Sequence, residues 1–486
     1  MSNEFFTPNW VQHAIFYQIF PDRFATAQQP QIAKPTNLEP WDAAPTIYGF
    51  KGGDLIGVLE HLDYLQDLGI NAIYFTPVFQ SASNHRYHTH DYFQVDPILG
   101  GNVALRRLLD EAHRRGMRVV LDGVFNHSSR GFFQFNHVLE CGAQSPYVDW
   151  FDIRGYPLNA YEGKPNYRCW WDLPALPEFN HQNPQVRRFI FDVARYWIEQ
   201  GIDGWRLDVP FCIDDDSFWQ EFRQTVKRAN PQAYITGEIP WDSTRWLQGD
   251  QFDGVMNYLF TYACWSFFGG ENMDRKLVGH WYQHGPEYFS TQAADFAANL
   301  EKLLTLYPRP AVLSQLNLLD SHDTARFNNI VGGDRRLLRM ATLVQMTYPG
   351  APCVYYGNEV GLEGGQDPDC RRSFPWDEAR WDQQLRKDFQ RLIALRKQYV
   401  ALRSGSFRTL YAADGVVAYL RELITEQFII TLNHSPQTLH LDLPVSGLSD
   451  AGLRGLLHGG TARLHNGRLE GGSLAPESGE IWQVQA

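Results

Sequence analysis

The chain has no block of positive charge. Lysine and arginine number 43 against 55 aspartates and glutamates, a net charge of −12 over 486 residues, and no Lys/Arg-rich run or arm interrupts them. Such a surface is repelled by phosphate backbones and anionic headgroups, which argues against nucleic acid and membrane surfaces as partners and suits a neutral ligand that needs no long-range steering. The start, Met1-Ser-Asn-Glu-Phe-Phe-Thr-Pro, lacks a basic segment followed by an apolar one, and no apolar run is long enough to span a bilayer. The six cysteines, at 141, 169, 212, 264, 353 and 370, lack Cys-x-x-Cys spacing, so neither a zinc site nor a disulfide framework is indicated. The expected location is cytoplasmic. What the chain does have is 15 tryptophans and 23 tyrosines. They are either large core side chains or flat faces for the apolar CH side of sugar rings, and composition does not separate the two.

Short apolar runs alternate with helical patterns along most of the chain. Ala14–Phe20 reads as a first strand. Asp54 caps a helix through Leu55, Leu59, Leu62, Leu65 and Leu68 that Gly69 stops, and Asn71–Pro77 is a second strand. A long loop rich in His and Tyr runs to Gly101, an amphipathic helix covers Leu105–Gly116, and Met117–Asp122 is the third strand. The rhythm breaks over 123–183, where Gly, Pro, Asn and aromatics are too dense for one helix; a stretch of that size is more readily a small inserted subdomain than a structureless loop. Pro184–Gln200 restores it as a helix. Strands follow in Gly201–Pro210, Tyr234–Glu238, Phe252–Asn257, Gln315–Leu319 and Cys353–Tyr356. Eight β/α repeats predict an α/β fold, a (β/α)8 TIM barrel over 1–122 and 184–398 with the insertion after strand three. From 399 to 486, apolar–polar alternation with frequent turns predicts a C-terminal all-β sandwich.

Chemistry gathers at the ends of three of those strands. Arg206 and Asp208 share one face because strand side chains alternate, Glu238 ends the next strand, and His322-Asp323 follows a later one. An isolated Arg-x-Asp is usually a structural ion pair. Carboxylates at the C-terminal tips of several barrel strands are instead what an active face requires. Two carboxyl groups flanking a glycosidic bond are the minimum for its hydrolysis, one a proton donor and one an ionised nucleophile. Asp208, with Arg206 expected to keep it ionised, is the candidate nucleophile; Glu238, with the longer reach, is the candidate acid and base; Asp323 is placed to bind sugar hydroxyls beside the reacting ring.

Asp122-Gly-Val-Phe-Asn-His127, Gly204-Trp-Arg-Leu-Asp-Val209, Gly237-Glu238 and Ser321-His-Asp323, in that order, resemble the four signature segments of the α-amylase superfamily of glycoside hydrolases (family 13). The resemblance implies a retaining double displacement with Asp208 as nucleophile, Glu238 as acid/base and Asp323 as transition-state stabiliser, and with Asp122, His127, Arg206 and His322 organising the sugar at the cleavage point. Leu176-Pro-Glu-Phe-Asn180 and the run Glu359–Arg372 with Pro375-Trp-Asp377 are similar to the cyclomaltodextrinase, neopullulanase and maltogenic amylase subgroup. That closer likeness implies that Tyr87 stacks on the ring being cleaved and that Asp367 and Arg371 contact the non-reducing side of the glucan, unless the latter two form only a loop salt bridge.

The sequence also departs from the subgroup. The first strand begins too early for the subgroup's extra N-terminal domain, so its dimer mode is not expected; a monomer or another homodimer stays open. The calcium loop after Pro-Asp-Arg-Phe is Ala25-Thr-Ala-Gln-Gln-Pro30, without hard oxygen ligands, so no cofactor or metal is expected, although Asn126 could serve another α-amylase calcium site. Pro210-Phe-Cys212 and Pro240-Trp241 replace the usual acceptor-side residues; Trp241 is then a shifted stacking platform or a packed loop tryptophan. His88 stands where an Asp is usual. The expected function is a retaining α-glucan hydrolase cleaving α-1,4 and α-1,6 bonds in short, cyclic or branched maltooligosaccharides. A 4-α-glucanotransferase using the same intermediate is the alternative, and a non-catalytic carbohydrate-binding barrel the remote one.

Overall fold

The structure, a computed structural model, describes residues 5–28 and 34–485. Eight parallel strands form the barrel: β1 Phe16–Ile19, β2 Ala72–Phe75, β3 Arg118–Gly123, β4 Gly204–Leu207, β5 Tyr234–Gly237, β6 Gly254–Val255, β7 Leu316–Leu318 and β8 Ala351–Tyr355. They pair in sequence from β6 back through β1 to β8 and β7, and a parallel bridge from Met256 to Leu316 closes the ring. The expected sixth strand shrinks to two residues. Closure there requires glycine, because a Cβ on Gly254 would sit 2.2 Å from the Ser314 carbonyl oxygen. Apart from Arg118, at the start of β3, every strand residue is buried, as a sheet covered on both sides demands.

The helices begin and end where local chemistry dictates. The Asp54 carboxylate accepts the Gly57 N–H, Asn183 caps Pro184–Glu199 and Asp215 caps Asp216–Ala229 through their side chains. Gly69 ends its helix in the left-handed region at φ 97°. The single helix expected over 55–68 is two, Leu55–Glu60 and Leu62–Leu68, broken at His61, whose Nδ1 lies 2.7 Å from the Gly57 carbonyl oxygen and whose ring packs on Trp376. The stretch expected as a plain loop after β2 contains a hairpin, Phe79–Ser81 with Thr89–Val95, whose connection carries Tyr87.

Between β3 and the helix at Pro184 the chain forms a compact lobe built from the helix Phe133–Cys141, a few isolated bridges and an aromatic core of Phe132, Phe135, Phe151, Tyr167 and Phe179. The C-terminal strands, eight between Ser406 and Val484, hydrogen-bond into one continuous sheet folded over its own apolar core, including Val416, Leu420, Ile429, Leu453, Leu464 and Trp482. Two buried arginines fasten barrel to sheet. Arg396 donates to the carbonyls of Met346, Tyr348, Leu402 and Gly350, and Arg421 to those of Thr347, Leu402 and Gly405. Among the described residues no helix is long and apolar enough to cross a membrane.

Candidate active site

One guanidinium organises the C-terminal mouth of the barrel. Arg206, on β4, is fully buried; its Nη1 lies 3.0 Å from both oxygens of Asp122 and 3.1 Å from Asp208 Oδ1, and its Nη2 forms an ion pair with Glu238 Oε1 at 2.9 Å. The parallel register sets β3, β4 and β5 side by side and places Asp122 opposite Arg206. Asp208 and Glu238 leave their strands one residue later, each still tied by its N–H to the neighbouring strand, at Gly123 and Leu207.

Val209, immediately after Asp208, sits in the left-handed region at φ 36°, a conformation costly for a β-branched residue and doubly so before a proline. The strain has a visible use: the Val209 N–H points at Glu238 Oε2, 3.1 Å away.

The opposite wall is built from β1, β2, the hairpin and the loops after β7 and β8. Tyr74 and Tyr87 both donate to Asp122 Oδ2, at 2.9 and 3.0 Å. The Tyr87 hydroxyl also meets His322 Nε2, and the two rings lie parallel at 5.6 Å. Gln18 holds the other side of the His322 ring at 2.6 Å. Asp323 pairs with His322 Nε2 at 3.0 Å and with Arg371 Nη2 at 3.3 Å; Arg371 Nε donates to the His322 carbonyl and its Nη1 pairs with Asp367. The salt bridge considered for Asp367 and Arg371 therefore exists, and it also reaches Asp323.

Burial pushes the carboxyl of Asp208 well up, and the charge of Glu238 pushes it further; the pull of Arg206 is outweighed. Glu238 is raised by burial and by Asp323 against Arg206, and Asp122 is raised by burial against Arg206 and His322. Asp323 behaves oppositely: burial is overcome by His322 and then Arg371, which hold it well below the usual carboxylate range. This corrects the expectation that Arg206 keeps Asp208 ionised. Its single charge is divided among three buried carboxylates, so the cluster retains a proton while Asp323 stays ionised.

His127 is buried and held neutral, its imidazole lowered to about 3 by burial and next by His88; its carbonyl accepts the Tyr92 hydroxyl. Trp241 lies apart from the carboxylates in an aromatic pair with Phe211 at 4.6 Å, and near His284. Sequence reasoning passed over Gln18, Tyr74 and Tyr258, whose phenol is pushed up by burial and by Glu238 and Asp323. The signal for the first two was available, since a Gln and a Tyr interrupt the otherwise apolar strands Phe16–Ile19 and Ala72–Phe75.

The residues offered to calcium are otherwise engaged. The Asn126 amide faces His127 Nδ1 at 3.3 Å and supports Glu178, while Ala27 and Gln28 present N–H groups to Asp54 and Glu60. Gln29 and Pro30 of that loop lie outside the described residues. Among the described residues no group of three or more His, Cys, Asp or Glu side chains is arranged to hold a metal ion.

The alpha amylase catalytic domain matches residues 18–399 of this chain, and the neopullulanase-like C-terminal domain residues 407–483. The chain belongs to the α-amylase family. It is a glycoside hydrolase by that membership. It is 47% identical over 431 residues to a cyclomaltodextrinase of Bacillus sp., covering 88% of this chain and 74% of the relative. Among solved structures it is similar to Ttha1563 of Thermus thermophilus, with a TM-score of 0.94, 48% identity and 98% and 100% of the two chains covered. It is also similar to the native debranching enzyme of Nostoc punctiforme, with a TM-score of 0.90, 50% identity and 99% and 100% covered.

Proposed function

We propose that this α-amylase family member hydrolyses α-1,4 and α-1,6 glucosidic bonds in short, cyclic or branched maltooligosaccharides with retention of configuration. The observation that carries this is the Arg206 guanidinium bound to Asp122, Asp208 and Glu238 together, a proton-holding carboxylate cluster facing an ionised Asp323. In the first step the Asp208 carboxylate attacks the anomeric carbon while Glu238 gives its proton to the departing glycosidic oxygen. The product is a glycosyl ester on Asp208 and a free sugar hydroxyl. In the second, Glu238 takes a proton from water, the water oxygen attacks the anomeric carbon, and the ester breaks back to a carboxylate. Asp323, kept ionised, accepts hydroxyls of the ring as it flattens, and Tyr87 offers its face.

Support for the α-1,6 bond comes from likeness to a debranching enzyme and from the acceptor side, where Val209-Pro210 leads into the Phe211–Trp241 pair. The six free cysteines suit a reducing cytoplasm. The reading is tested by product analysis on a maltooligosaccharide bearing an α-1,6 maltosyl branch, beside β-cyclodextrin and pullulan. Release of the intact branch is expected. Ring opening of the cyclodextrin with the branch untouched limits the enzyme to α-1,4 bonds, products longer than the substrate mark a transferase, and no cleavage of any of the three overturns the proposal.

A further inference from the structure

Two neighbouring tryptophans on the inserted lobe lie face to face. Trp170 and Trp171 stack with ring centres 4.4 Å apart and planes 8° from parallel, and Trp170 in turn stacks on His127 at 5.5 Å and 29°. Consecutive side chains point apart in strands and helices alike. Here they meet because Trp171 and Asp172 both adopt left-handed backbone, at φ 51° and 57°. The turn is held in place by N–H bonds from Trp170 to Leu176, Asp172 to Cys169 and Leu173 to Trp170, by the Cys169–Pro177 bridge, and by the Tyr167 hydroxyl on the Pro174 carbonyl.

The strain gains no burial. Trp171 remains 74% exposed, and Leu173 beside it is exposed as well. A large apolar face kept in water by a costly, well-fastened turn suits a ligand with a flat apolar side. The inner end of the stack, His127, adjoins the backbone of Tyr87 at the candidate cleavage point, so the three rings form a path from that point to solvent.

We propose that Trp171 is a stacking platform for a glucose unit of the bound α-glucan at least two units from the scissile bond, with Trp170 fixing its orientation. This rests on the reading of the site as an α-glucan hydrolase. The occupant is the carbohydrate chain itself, recognised by the CH face of its rings, and the consequence is a preference for longer over shorter oligosaccharides.

The test compares kcat/KM on maltoheptaose and maltotriose for the parent protein, Trp171→Ala and Trp171→Phe, with calorimetric titration of maltoheptaose into the same variants in an Asp208→Asn background. For Trp171→Ala the maltoheptaose-to-maltotriose ratio should fall about three- to tenfold, with weaker maltoheptaose binding to match, and Trp171→Phe should recover most of both. An unchanged ratio with unchanged binding overturns the proposal while leaving the hydrolase reading intact. So does an altered oligomeric state on gel filtration without a kinetic effect, which would make Trp171 a contact between copies. A parent protein that cleaves neither sugar overturns both.

Discussion

Truncating Glu238 to alanine separates the two catalytic roles. Its carboxylate faces Arg206 Nη2 at 2.9 Å and the Val209 N–H at 3.1 Å, so Glu238→Ala leaves a cationic group and an N–H lining a small void, a cradle for a small anion. General acid–base catalysis is worth roughly 10²–10⁴ in rate, about 3–5 kcal/mol, and that loss is expected on maltooligosaccharides, whose leaving sugar must be protonated. With α-maltosyl fluoride, whose leaving group departs without a proton, formation of the ester on Asp208 should be spared and its hydrolysis slowed. Azide, needing no base, should enter the void and restore turnover, releasing α-maltosyl azide. The pH profile supplies a second reading. Asp208 is held high by burial and next by the charge of Glu238, so removing that charge moves the acidic limb to lower pH. Steady-state kinetics and NMR of the azide product decide the matter. Azide rescue of Asp208→Ala with the α-azide as product, or a Glu238→Ala variant as active as the parent on maltooligosaccharides, would refute the assignment of roles.

Other perturbations test the surroundings. Tyr87→Phe removes the hydroxyl that meets Asp122 and His322 and should lower kcat/KM about 10- to 100-fold with the melting temperature unchanged, measured by kinetics and calorimetry. Arg371→Met withdraws a cation that holds Asp323 below the usual carboxylate range; Asp323 then protonates at higher pH, so the acidic limb of kcat should shift upward. Arg421→Met orphans the buried carbonyls of Thr347, Leu402 and Gly405 and should cost on the order of 3 kcal/mol, or about 3 °C in melting temperature at this chain length, while kcat at 25 °C is retained. Because Asn126 is committed to His127 and Glu178, dialysis against EDTA should leave both activity and melting temperature as they were, checked by assay and calorimetry.

The sequence alone determined the barrel, the carboxylates and their order. Strand alternation puts Arg206 and Asp208 on one face, and β/α repetition delivers the tips of β3, β4 and β5 to one mouth, so short-range pattern was enough to choose Asp122, Asp208 and Glu238. It also marked the helix start at Asp54 and the stop at Gly69. Only the tertiary structure decided how charge is shared. That Arg206 serves three carboxylates and cannot hold Asp208 ionised depends on distances across neighbouring strands, which no periodicity encodes. The same holds for the closing bridge at Met256, where the sixth strand yields to a glycine contact, and for the hairpin that presents Tyr87, whose register shifts break the alternation a strand would show. The strained turns at Val209 and Trp171 were illegible for a related reason. A residue adopts left-handed backbone against its own preference only when packing and hydrogen bonds around it overrule that preference, and those bonds come from segments distant along the chain or folded back upon it.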